Sequence, residues 1–131
     1  MFFIPVSEEA FKKDVLPKIS PRNELPLPPD WLHLEMLERF RVLRFAPIRE
    51  GTNVLEIGCG AHALTTVPLA YLVGETGRVV AVDKSRWCFF EEIISSASVK
   101  QGVIPLKLDA RELHSRSKPS TWSSSFTEYE V

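Results

Sequence analysis

Cysteine is scarce. The 131 residues hold two, Cys59 and Cys88, too few for a disulfide framework, and the plain reading is reduced thiols in a cytoplasmic protein. Histidine is equally thin: His33, His62 and His114 are scattered, so no metal-ligand spacing arises. Neither charge sign is in excess. Sixteen Lys and Arg face 17 Asp and Glu, for a net charge of −1, so no global basic field commits the chain to nucleic acid or an anionic membrane. No uncharged apolar stretch approaches the length of about 18 residues that a membrane-spanning helix needs. The apolar N-terminal run lacks a basic flank and is too short for a signal peptide. Internal repeats are absent.

What is present is 44% hydrophobic and 25% charged, which excludes a disordered or fibrous chain. A compact chain of this size buries roughly two-thirds of its unfolded surface. Ser7 caps a short helix expected to run to about Leu16, with Glu8 and Glu9 in its first turn. Pro17 to Pro29 holds five of the ten prolines and reads as an extended linker. Asp30 is the expected N-cap of a second helix reaching about Phe45, with Trp31, Leu34, Leu37 and Phe40 as its apolar face. Residues 1–50 thus form an N-terminal helical extension with a Pro-rich arm.

Residues 51–131 have a different texture. Val54 to Ile57 is a buried strand that runs into the tight turn Gly58-Cys59-Gly60. A helix follows from Thr66 to Val73, with Pro68 tolerated in its first turn. Arg78 to Val82 is a second strand ending at Asp83. Ser85 opens a helix expected to reach Val99, with Phe89, Phe90, Ile93, Ile94 and Ala97 as its apolar set. Val103 to Leu108 is a third strand ending at Asp109, and Pro105 puts it at a sheet edge. This alternation predicts an α/β fold with a Rossmann-like parallel sheet in the order 3-2-1. Ser115 to Ser125 holds six serines and reads as loop.

All three strands end in glycine or a carboxylate, at the edge where open α/β sheets bind ligands. Gly58 and Gly60 let the backbone turn sharply beside a ligand, and the next helix offers free N–H groups. Asp83, 23 residues after Gly60, stands where a carboxylate accepts from ribose hydroxyls. Asp109 can accept from a purine amino group. Glu56, in an otherwise apolar strand, is costly unless a cationic ligand or the N–H groups of the turn pair it.

The segments Val54-Leu55-Glu56-Ile57-Gly58-Cys59-Gly60, Gly77-Arg78-Val79-Val80-Ala81-Val82-Asp83 and Leu108-Asp109-Ala110 resemble class I S-adenosylmethionine-dependent methyltransferases. The resemblance covers residues 51–110. It implies S-adenosylmethionine as cofactor, with Glu56, Gly58, Cys59 and Gly60 around its methionine part. Asp83, followed by Lys84, would hold the ribose, and Asp109 and Ala110 would meet the adenine. Where that family often has a third glycine, this chain has His62. The resemblance names no catalytic base and no methyl acceptor.

Two other readings stand beside it. Gly58 to Ala63 also fits G-x-G-x-x-A, the fingerprint of an NAD(P)-binding oxidoreductase. A non-catalytic interaction module is the third. The family's sheet continues with a fourth strand beside the first, so the chain is expected to be truncated after strand three. The Val54–Ile57 edge is then open to self-association.

Overall fold

The computed structural model describes residues 6–20, 30–84, 89–99 and 102–107. Helix α1 spans Glu8–Asp14. Ser7 Oγ accepts from the backbone N–H groups of Glu9 (3.1 Å) and Ala10 (3.4 Å), and Lys12 and Lys13 sit in the last turn, where the helix dipole favours them. The helix stops before the expected Leu16. Pro17 enters a single 3-10 turn, Leu16–Lys18, instead of ending the chain's helical path. Helix α2 covers Trp31–Leu43, with Asp30 at the N-cap position but without a side-chain capping bond.

Strand β1 (Asn53–Ile57), helix α3 (Thr66–Val73) and strand β2 (Arg78–Asp83) fall where expected. Pro68 is the third residue of α3, where its missing N–H has no intrahelical partner to lose. Helix α4 covers Phe90–Ser96, shorter than expected at both ends. Ala97 and Ser98, the latter with φ 61°, close it, while Ser85 lies outside the described residues. Strand β3 spans Val103–Lys107. All pairing is parallel, in the order β1-β2-β3, which is the expected 3-2-1 arrangement. Pro105 lies on edge strand β3 opposite Ala81.

The sheet's faces separate by the period of two along each strand. Val54, Val79, Ala81 and Val103 share one core with the buried residues of all four helices. Leu55, Val80 and Val82 form a second, smaller cluster with Ile57 and Leu106 against it. On the larger side α1 is tied in by aromatic contact. The Phe11 and Phe40 rings stack at 4.4 Å between centroids, and Tyr71 of α3 meets Phe11 edge-on at 5.5 Å. The Tyr71 hydroxyl donates to Asp14 at 2.9 Å, and Arg41 Nη2 to Glu8 at 2.8 Å.

The buried side of α2 differs from the expected one. Leu32, Met36, Leu37, Phe40 and Leu43 are buried, whereas Leu34 is half exposed and Trp31 only partly covered. A repeated i+3 step drifts about 60° per step around a helix of 3.6 residues per turn. Trp31 and Phe40 therefore face opposite ways, while the 32-36-40-43 series keeps to one side.

Between α3 and β2 the chain reverses through Gly74, with φ 68°, and buried Gly77. A Cβ on Gly77 would stand 2.5 Å from Val73 Cβ and 2.6 Å from the carbonyl oxygens of Thr52 and Val73. Backbone atoms cannot yield as a side-chain tip does. Gly77→Ala is expected to cost ~2 kcal/mol, read as a lower midpoint in thermal unfolding; an unchanged midpoint would contradict this close approach.

Candidate functional site: the glycine turn at the carboxyl ends of β1 and β2

Three consecutive N–H groups after β1 are tied to the end of β2. Gly58 N–H donates to the Val82 carbonyl at 2.7 Å and Cys59 N–H to the same oxygen at 3.3 Å. Gly60 N–H donates to Asp83 Oδ2 at 2.8 Å. Gly58 and Gly60 hold φ of 78° and 74°, in the left-handed region that side chains disfavour. A Cβ on Gly60 would meet nothing within 4 Å, so conformation, not crowding, selects glycine there. The turn is shaped by Asp83 before any ligand arrives.

Glu56 points to the same side of β1 as Val54 and is 0% exposed. Its Oε1 accepts from the Thr66 hydroxyl at 2.5 Å. Its Oε2 is buried without a hydrogen-bond partner among the described residues. The turn N–H groups expected to pair it are committed to Val82 and Asp83 instead, and the partner is a hydroxyl on α3. Burial pushes the Glu56 carboxyl up to about 7; the Thr66 bond opposes this, the Asp83 charge adds to it, and Arg39 opposes it. Thr66 is the site residue that sequence reasoning missed. It lies ten positions from Glu56 across an irregular loop, and the one available signal was that a buried carboxylate must find a donor.

Cys59 is buried in the turn. Burial, then the charges of Glu56 and Asp83, drive its thiol far above the ordinary range, which leaves it no nucleophilic role near neutral pH. Lys84 is exposed just beyond β2. Asp109 and Ala110 lie outside the described residues, as does Cys88. The described structure thus brings together Glu56, Gly58, Cys59, Gly60 and Asp83.

His62 stands in the turn between two rings. Its centroid is 5.2 Å from Trp31 of α2, edge-on, and 5.2 Å from Phe89 ahead of α4. Phe89 N–H also donates to the Ala61 carbonyl at 3.2 Å. The imidazole is an element of packing that joins α2, the turn and α4. A cavity of about 280 Å³ lies at the opposite, amino-terminal edge of the sheet, lined by Glu50, Tyr71, Gly74, Glu75 and Ser98 among others. Its two carboxylates stand beside the negative ends of α3 and α4, and the turn geometry lies elsewhere. No helix among the described residues is long and apolar enough to cross a membrane.

The family model of protein-L-isoaspartate(D-aspartate) O-methyltransferase (PCMT) matches residues 32–101, more than half of the chain. The chain belongs to this family. The match takes in α2, the glycine turn, Asp83 and α4. No curated protein matches the sequence. Among solved structures, a cyclopropane-fatty-acyl-phospholipid synthase-like protein from Lactobacillus casei is similar at TM-score 0.61 and 16% identity, over 85% of this chain and 42% of that one. Coclaurine N-methyltransferase, bound to N-methylheliamine and SAH, is similar at TM-score 0.51 and 22% identity, over 82% of this chain and 32% of that one. These likenesses, both under 25% identity, establish the Rossmann-like fold. The chain spans less than half the length of either structure.

Proposed function

We propose that this PCMT-family chain is the S-adenosylmethionine-binding portion of an O-methyltransferase acting in the cytoplasm on a carboxylate of the isoaspartyl or D-aspartyl type in the family's name. The observation that carries the reading is a family match that takes in the glycine turn, with a buried carboxylate on β1 before it and a strand-end carboxylate beside it. The residues present suit the cofactor. Glu56 has a buried oxygen without a donor among the described residues, which an ammonium or sulfonium charge would compensate. Asp83, oriented by Gly60 N–H, is set to accept from ribose hydroxyls. Gly58 and Gly60 permit close backbone approach, and Asp109 and Ala110 are assigned to the adenine.

The cofactor supplies an electrophilic methyl group, which an acceptor carboxylate oxygen takes to form a methyl ester while S-adenosylhomocysteine departs. A carboxylate nucleophile is already anionic near neutral pH, so the chain's task is to hold and orient, without a general base. The share of its relatives' length that the chain spans supports assigning it the cofactor portion. The free Cys59 suits a reducing compartment. A dinucleotide would bring an anionic pyrophosphate toward the Glu56 side of the turn, which disfavours the oxidoreductase reading.

Calorimetric titration decides between them. S-adenosylhomocysteine is expected to bind and NAD not to. Asp83→Ala should weaken S-adenosylhomocysteine roughly 10–100-fold through loss of charge-assisted hydrogen bonds. Tighter binding of NAD, or no binding of either, overturns the proposal.

A further inference from the structure

Thr66 and Glu56 are both 0% exposed, on different elements, and meet through one short bond. Thr66 is the first residue of α3, and a threonine there commonly turns its hydroxyl to the backbone of its own helix. Here the hydroxyl instead serves β1. A carboxylate kept only for structure would have both oxygens satisfied. Glu56 has one donor, on Oε1, and a buried Oε2 without one among the described residues.

We propose that Thr66 is a positioning residue for ligand recognition: its hydroxyl holds the Glu56 carboxylate in one orientation, so that Oε2 meets the positive end of the ligand. This rests on the cofactor reading above and adds to it the residue that makes Glu56 competent. Among the described residues, the charged and titratable groups around Glu56 leave this task to Thr66. Asp83, at the end of β2, opposes ionisation. Arg39 of α2 favours it, but its guanidinium is paired with Glu35 at 2.7 Å. The Cys59 thiol of the turn stays neutral. On α3 the contact is the Thr66 hydroxyl, whose hydrogen bond opposes the effect of burial on Glu56.

The test uses S-adenosylhomocysteine, whose amino group supplies the cation, titrated calorimetrically between about pH 5.5 and pH 9. Wild-type affinity should rise with pH through a midpoint at about 7, where Glu56 is half ionised, and level off above it. Thr66→Val keeps the shape and removes the donor. It should move the midpoint of that rise upward by about one pH unit and weaken binding near neutrality about tenfold, since a hydrogen bond to a charged group carries that order of effect. Thr66→Ser should restore the wild-type midpoint. Should Thr66→Val fail to fold, Thr66→Ala removes the same donor with less bulk. If the midpoints of wild type and donor-less variant coincide, even with affinity lowered, Thr66 is only structural and the inference falls while the cofactor reading stands. If wild type fails to bind at every pH, the cofactor reading itself falls and takes the inference with it.

Discussion

Phe40→Ala is expected to lower the unfolding free energy by about 3–5 kcal/mol, the range for removing a fully buried aromatic ring. Phe40 is 0% exposed, and it is where three helices meet. Its ring lies on Phe11 of α1 with 4° between planes, and the Tyr71 ring of α3 approaches it at 6.1 Å. The void cannot close without moving α1, which is further held by Tyr71 to Asp14 and Arg41 to Glu8. Against a typical stability of roughly 5–15 kcal/mol, such a loss leaves little margin. Urea unfolding measures it. A loss below about 1 kcal/mol would mean that α1 and α2 do not share a rigid core.

Glu56→Gln should remove a pH dependence worth ~3 kcal/mol. In the folded protein the Glu56 carboxyl is raised from 4.5 to about 7. The protonated form is therefore favoured in the native state. The stability it contributes is fully present below pH 4.5 and is lost as pH rises through about 7. Glutamine cannot ionise but still accepts from Thr66. The stability difference between variant and wild type should thus shift toward the variant by that ~3 kcal/mol as pH rises from about 4.5 to 8. Urea unfolding of both proteins at the two ends of that range reads it directly, and an identical difference at both would refute a buried, ionising Glu56. The same variant should bind S-adenosylhomocysteine more weakly, because its side chain carries no charge to meet a cation. A substitution that stabilises the fold at pH 8 would then impair the site, as expected of strained functional groups.

How much of this could be read in the sequence depended on how local the determining signals were. β1, α3 and β2 fell where expected because glycine and proline mark their limits: Gly58 after β1, Pro68 in the first turn of α3, Gly74 and Gly77 before β2. The parallel order followed from the strand-helix alternation. The face of α2 did not, because four apolar residues at i+3 spacing look like a stripe until the helical drift is followed, and Leu34 turns outward. Glu56 was recognised as needing a partner, but which partner depends on how residues 58–65 fold back, and no spacing rule reaches across that loop. Asp83 was read as a ligand group. Its bond to Gly60 N–H adds a second task, that of shaping the turn.

The sheet's layout also bears on how quickly the chain can find its fold. Its strands lie in space in the order in which they occur along the chain, and paired positions such as Val54 with Val79 and Val79 with Val103 are separated by 25 and 24 residues. Among the described residues each strand pairs with the next one along the chain. Loop closure over such distances is entropically mild, but parallel pairing across about 25 residues is non-local and slow beside the formation of the helices. Every residue of the β1-α3-β2 unit, the glycine turn and Asp83 included, is present once Asp83 has been synthesised, before β3 is added to the sheet.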